Sequence, residues 1–168
     1  MIDNPFVQAL IFILPSYVAN ASPVLVRKVI KVTHPIDLGK NFIDGKRVLG
    51  DGKTFEGFFI GVIAGCAVGS LLAMLSLHTL WGSFILSLGT LLGDIMGSFI
   101  KRRVGIKRGE MFPFLDQLLF LITSVTLYSL MVEPLPLTWV IFLLVITPWL
   151  HLLTNYLAFK IGLKDVPW

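Results

Sequence analysis

A single cysteine, Cys66, in a chain of 168 residues excludes an intramolecular disulfide, and its place inside an apolar run makes it a small packing residue. Charge is scarce as well. Asp, Glu, Lys and Arg make up 14% of the chain, where soluble domains carry about 25%. Hydrophobic residues reach 55% and the mean hydropathy is +0.84, which excludes an ordinary water-soluble domain. Met1-Ile2-Asp3-Asn4 has no positive n-region, and the apolar run behind it continues to Arg27 and Lys28, so a retained span is expected rather than a signal peptide. No nucleophile motif of the serine- or cysteine-hydrolase type is present.

What is present is membrane-spanning sequence. Five segments reach about 20 mainly apolar residues, the length that a hydrocarbon core demands: 5–26, 55–77, 81–100, 112–132 and 135–161. The expected fold is an all-α integral membrane protein, a bundle of five transmembrane helices forming one domain over residues 1–168. The 14 cations set its orientation. Arg27, Lys28, Lys31, Lys40, Lys46, Arg47 and Lys53 fall in a loop over 27–54, and Lys101, Arg102, Arg103, Lys107 and Arg108 in a loop over 101–111. Lys160 and Lys164 lie at the C-terminal end, and the N-terminus and the two short turns hold none. By the positive-inside rule the N-terminus is outside, and both basic loops and the C-terminus are cytoplasmic. The net charge of +4 therefore follows topology and does not indicate nucleic-acid binding.

Gly57, Gly61, Gly65 and Gly69 recur every four residues in the second segment, and Gly89, Gly93 and Gly97 in the third. Such ridges let helix backbones approach closely, so these two spans are expected to pack together, with Gly97 also a candidate for ligand contact. They would serve equally between chains, which leaves a homodimer open. Pro15, Pro23 and Pro148 interrupt the first and last segments and free backbone carbonyls there, and kinks near Asn20 and His151 would widen the cytoplasmic half.

Two acids, Asp94 and Asp116, stand within apolar sequence, where a charge costs roughly 2.5–3.5 kcal/mol on insertion scales. Ser87, Thr90, Asp94, Ser98 and Lys101 share one helical face at steps of three or four. Asp116 opens the next span, so a hairpin brings both carboxylates to similar depth. They can share one Mg²⁺, a hard ion that takes carboxylate oxygens and completes its shell with water and phosphate. The alternative is that each acid pairs with a nearby Lys or Arg. The cations from Lys101 to Arg108 can likewise bind phosphate or simply anchor a cytoplasmic loop.

The first loop reads Gly50-Asp51-Gly52-Lys53-Thr54-Phe55-Glu56-Gly57. A P-loop is excluded, because Arg47 stands where that motif needs Gly and no strand precedes it. Glycines that permit close approach, the charge of Lys53 and a helix beginning at Thr54 still suit phosphate, and a flexible linker is the alternative. Thr147, His151 and Asn155 lie on one face of the last span, where Asn20 can join them. His151 is first a core histidine, since neither a cysteine nor a second histidine lies near it for a transition metal.

Taken together, these segments resemble the CDP-archaeol synthases, the archaeal branch of the phosphatidate cytidylyltransferase superfamily. The resemblance is carried by Gly50 to Gly57, by Gly93-Asp94-Ile95-Met96-Gly97-Ser98-Phe99-Ile100-Lys101-Arg102-Arg103, by Lys107-Arg108-Gly109 and by Phe114-Leu115-Asp116-Gln117. It is strongest from about Asn20 to Phe120. It implies a cytidylyltransferase at the cell membrane, with its site facing the cytoplasm, that joins CTP to 2,3-bis-O-(geranylgeranyl)glycerol 1-phosphate with Mg²⁺ and releases pyrophosphate. Asp94 and Asp116 match the metal-site aspartates and, with Lys101, are the candidate catalytic residues. Asn20, Gly50, Asp51, Lys53, Thr54, Ser98, Arg102, Arg103, Lys107, Arg108 and Asn155 are the candidate nucleotide- or phosphate-binding residues. Leu119 stands where family members often carry a second carboxylate, which counts against a two-metal site.

Two other classes compete. Intramembrane acids and proline-broken spans suit a transporter, but no repeat is apparent in five spans and both acids gather toward one side. A CDP-alcohol phosphotransferase would need a denser aspartate motif on one helix, which is absent.

Overall fold

The computed structural model describes residues 3–30, 32–107 and 109–167, with the side chains of 26–28 excepted. Five helices follow in order: α1 Pro5–Val29, α2 Phe55–Met74, α3 Leu80–Arg103, α4 Leu115–Met131 and α5 Leu137–Lys160. No named strand occurs among the described residues. α1, α2, α3 and α5 are long and apolar enough to cross a membrane. α4 is shorter, with 17 residues, a length of about 26 Å at 1.5 Å per residue.

The helix ends differ from the expected spans for local reasons. α2 stops at Met74 rather than running to 77. Ser76 turns left-handed (φ +57°), its amide donates to the Ala73 carbonyl, and the Leu77 amide donates to that of Leu72. This is a Schellman stop with serine where glycine is usual. α3 continues past 100 to Arg103, so Lys101, Arg102 and Arg103 form its last turn rather than a loop. Cations there complement the negative end of the helix dipole. α4 begins at Leu115 rather than 112, because Pro113 and a left-handed Phe114 (φ +63°) precede it. α1 and α5 remain helical through their internal prolines.

α3 lies between α2 and α4, with α1 against α2 and α3. The glycine ridge of α2 is buried and faces two neighbours. A Cβ on Gly61 would meet the Ala19 carbonyl of α1 and Leu91 of α3, and one on Gly65 would meet the Pro15 carbonyl and Ser87. The expected packing of α2 on α3 is therefore present. The α3 glycines are used elsewhere. Gly89 and Gly93 admit the α4 backbone at Thr123, Ser124, Leu119 and Phe120. The apolar core is supplied by the other helices: Ala9, Phe12 and Ile13, then Ile85 and Leu86, then Phe120, Leu121, Val125 and Tyr128, then Leu143. Hydroxyl contacts join helices within it, Ser16 with Thr90, Tyr17 with Thr147 at 2.6 Å, and Ser124 donating to the Leu86 carbonyl. Two residues of the polar stripe of α3, Ser87 and Thr90, are thus buried packing. α5 leaves Leu137, Ile141, Val145, Trp149 and Leu153 exposed, an apolar face suited to lipid.

The segment between α1 and α2 is structured rather than a bare linker. Isolated antiparallel bridges join Pro35 to Thr54 and Asn41 to Arg47. The Gly45 amide donates to the Phe42 carbonyl, closing a tight turn with Gly45 left-handed.

Candidate active site

Asp94 is placed by α3 and Lys53 by the end of the first loop, and the Lys53 Nζ donates to Asp94 Oδ2 at 2.5 Å. Lys53 is itself fixed by its backbone. Its carbonyl accepts from the Ile36 amide, and its amide donates to the Gly50 carbonyl. Thr54 caps α2, as a helix start there requires, but its hydroxyl already accepts the Gly57 amide at 3.1 Å. Gly52, Lys53, Thr54 and Asp94 line a small open cleft whose other walls include Pro23, Phe58, Leu91 and Ile95. The cleft therefore joins an ionic end to an apolar wall contributed by three helices.

A second ion pair stands beside the first on the same helix. Lys101, at the last turn of α3, donates to Asp116 Oδ2 at 2.8 Å and to the Glu110 carbonyl. Asp116 sits in the first turn of α4, where a carboxylate suits the positive helix end, and its Oδ2 also accepts the Phe112 amide at 2.9 Å. Both carboxylates act within Coulombic reach of His151 on α5, as does Lys164. The ion-pair alternative is therefore what the geometry shows for both acids. Neither pair is deeply buried. Asp94 keeps 33% and Asp116 28% of its side chain exposed.

The remaining candidates divide. Arg102 lies beside Gly50, where left-handed backbone (φ +90°) leaves room, and donates to the Ile106 carbonyl. Its Nε is buried without a hydrogen-bond partner among the described residues. Arg103 donates to Asp44 and to the Lys46 and Arg47 carbonyls. Asp51 pairs with Arg47 at 2.7 Å. The Lys107 amide donates to Glu110, and its residue is exposed. Asn155 is bonded to His151 at 3.0 Å, whereas Thr147 of the same face takes Tyr17 rather than Asn20 as its partner from α1. Asn20 and Ser98 are half-buried. Arg108 lies outside the described residues, as does Lys31.

One organising residue was not singled out by sequence. Asp37 is wholly buried at its side chain and receives Arg47 through two nitrogens, together with the amides of Gly39, Leu49 and Gly50. Burial pushes its carboxyl up, but these hydrogen bonds outweigh it and hold Asp37 well below the usual carboxylate range. The same contact raises the Arg47 guanidinium further. The available signal was Asp37-Leu38-Gly39 after Pro35, an Asp that bonds its own backbone two residues on.

The donor set can be tested against a divalent cation. Among the described residues no cluster of three or more His, Cys, Asp or Glu forms a closed cage. Asp94 and Asp116 supply hard oxygens, and their Oδ1 atoms accept no hydrogen bond from the described residues. Mg²⁺ is usually held by one or two carboxylates with water and substrate phosphate completing the shell, so these residues fit it.

A helix bundle with apolar outer faces and two lysine–carboxylate pairs where loops meet helices defines a multi-pass membrane protein with a polyionic site. The chain belongs to the CarS-like CDP-archaeol synthase family, whose family model matches residues 2–168. It is 46% identical over 164 residues to the CDP-archaeol synthase of Thermofilum pendens, covering 96% of this chain and 80% of that protein. With the CDP-archaeol synthase of Pyrobaculum islandicum the identity is 48% over 160 residues, covering 94% and 96%. A solved structure, described as an intramembrane enzyme for archaeal membrane lipids biosynthesis, matches with a TM-score of 0.80 at 38% identity, covering 89% of this chain and 94% of that one. This places the chain among nucleotidyltransferases, a generally metal-dependent class, and not among transporters.

Proposed function

We propose that this protein is a CTP-dependent cytidylyltransferase that activates 2,3-bis-O-(geranylgeranyl)-sn-glycerol 1-phosphate to its CDP-lipid and releases pyrophosphate. The observation that carries this reading is the full-length family match onto a chain whose Lys53–Asp94 and Lys101–Asp116 pairs tie the first loop and the start of α4 to the apolar helix α3. A lipid phosphate monoester carries close to two charges at neutral pH and needs little help from a general base. The barrier is its repulsion from the triphosphate. Lys53, Lys101, Arg102 and Lys107 would reduce that repulsion and stabilise charge on the α-phosphate as the lipid oxygen bonds to it and pyrophosphate leaves. Asp94 and Asp116 would hold Mg²⁺, which when bound supplies further neutralisation of the α-phosphate and leaving group.

The cleft beside Lys53 and Asp94 suits a substrate with a charged head and apolar chains, because its ionic end continues into Pro23, Phe58, Leu91 and Ile95. The cation distribution supports an N-terminus outside and the site facing the cytoplasm, where CTP is available.

Purified protein in detergent, given prenylated glycerol phosphate, Mg²⁺ and each of CTP, ATP, GTP and UTP, tests the reading. Lipid-dependent pyrophosphate release with CTP, abolished by chelator, is the expected result. No release with any nucleotide from folded protein would overturn it.

A further inference from the structure

Arg103 belongs to a cationic run that invites assignment to phosphate, yet both terminal nitrogens of its guanidinium are engaged, and its Nε is buried without a hydrogen-bond partner among the described residues. Nη1 donates to Asp44 Oδ1 at 2.6 Å, and Nη2 donates to the Lys46 carbonyl at 3.3 Å and to that of Arg47. The planar group also lies 4.9 Å from the ring centroids of both Phe42 and Phe99, which themselves meet edge to face. Lys46 returns the contact by donating its Nζ to the Arg103 carbonyl at 2.8 Å, capping the end of α3. Asp44, Lys46, Arg47 and Phe42 all belong to the tight turn of the first loop, and Phe99 belongs to α3. A single side chain therefore fastens that turn to the helix that carries Asp94.

The consequence runs along the loop. Arg47 of the fastened turn binds Asp37 and Asp51, and Asp37 in turn holds the Leu49 and Gly50 amides. Gly50 bonds the Lys53 amide, and Lys53 reaches Asp94. We propose that Arg103 is a positioning residue: it clamps the 42–47 turn to α3 through Asp44 and the Phe42–Phe99 pair, and so sets where Lys53 meets substrate phosphate. It acts through the loop, not on the phosphate. This rests on the cytidylyltransferase reading for its kinetic part alone.

Two substitutions separate the alternatives. A phosphate ligand tolerates Arg103→Lys better than removal of charge, because Lys still supplies a point charge. A clamp does not, since Lys lacks the planar fork and the stacking surface. Asp44 is the sharper probe, being an anion that would not bind phosphate. Under the clamp, Asp44→Asn raises the lipid KM about tenfold, as does Arg103→Lys, and the double variant is no worse than either alone. Were Arg103 a phosphate ligand, Asp44→Asn would leave KM unchanged or lower it, and that result would overturn the proposal. Hydrogen exchange of residues 40–53 in the full protein supplies a readout independent of turnover. The clamp requires both variants to lose protection there while the helices keep theirs. Unchanged protection would overturn it even if activity fell, whereas inactive wild-type protein with the expected exchange pattern would indict the assigned reaction and leave the clamp standing. Should Arg103→Lys fail to fold, Phe42→Leu tests the same contact, and retained protection in that variant counts against the clamp.

Discussion

Lys53 and Asp94 lie 41 residues apart in sequence and 2.5 Å apart in space, the first at the end of a loop and the second in a membrane helix. The pair neutralises a carboxylate that lipid surroundings would otherwise penalise. It also means that Lys53 must leave Asp94, at least in part, to serve a phosphate. Lys53→Ala is expected to lower kcat by about 10²-fold, the scale of losing one preorganised charged donor. Because the two groups act as a unit, the Lys53→Ala/Asp94→Asn double variant should fall well short of the product of the single effects. Steady-state kinetics on the four proteins measures this, and strict additivity would show that they act separately.

The Lys101–Asp116 pair carries a different expectation. Asp116 is also held by the Phe112 amide, so Asp116→Asn keeps a neutral acceptor in place and should leave the fold intact. Activity should fall at least about 10²-fold if the carboxylate holds the metal. Raising Mg²⁺ should recover part of that loss, whereas a purely structural pair would show no shift in Mg²⁺ dependence. A magnesium titration of Asp116→Asn beside wild type reads this directly.

Asp37 yields a pH expectation with a defined sign. Its folded-state pKa lies below the unfolded value of about 3.9, so its stabilisation is complete above that value and is lost as pH falls through the lower, folded one. The loop should therefore keep its order from pH 7 to about 4.5 and lose it only below the ordinary carboxylate range. Pepsin cleavage within 36–53, followed against pH, should rise late in wild type. In Asp37→Asn, which forfeits the Arg47 ion pair, cleavage should already be high where wild type is still protected.

The helices were legible because each rests on a local pattern, an apolar run of membrane length, and the candidate site residues were chosen on patterns of the same local kind: an acid within such a run, a cation cluster beside it. The α2 terminus was not, since Ser76 takes the left-handed position that glycine normally marks. The α3 glycines show a second limit. A small-residue ridge states that some backbone comes close, and Gly89 and Gly93 turn out to admit α4 rather than α2. Asp37 was missed because its partner Arg47 is separated from it by turns that only the folded loop closes, and Asp44 because its partner Arg103 lies 59 residues on, at the far end of α3. The cations illustrate the same point. Sequence places Arg102 and Arg103 side by side, and both bury an unpartnered Nε, but geometry gives the terminal nitrogens of one a single carbonyl, that of Ile106, and the guanidinium of the other a carboxylate, two carbonyls and two rings.

The glycines separate packing from function experimentally. A Cβ on Gly65 would lie 2.7 Å from the Pro15 carbonyl oxygen and 2.1 Å from Ser87 Oγ. A Cβ on Gly93 would lie 2.7 Å from the Leu119 carbonyl oxygen and from the Phe120 Cα. Backbone atoms cannot rotate aside, so helices must separate, and Gly65→Ala and Gly93→Ala should each destabilise by about 1–3 kcal/mol. Gly97 sits on the same ridge one turn beyond Gly93 and close to Asp94, yet a Cβ there meets only Leu119 Cδ2, at 3.6 Å. That is ordinary contact, and replacing glycine inside a helix gains roughly 0.5–1 kcal/mol, so Gly97→Ala should be neutral or stabilising. Thermal unfolding in detergent ranks the three. Turnover of Gly97→Ala then decides its role, because a protein that is as stable as wild type but has lost activity would show that the missing side chain leaves room for substrate, whereas full activity would assign Gly97 to packing with its neighbours on the ridge.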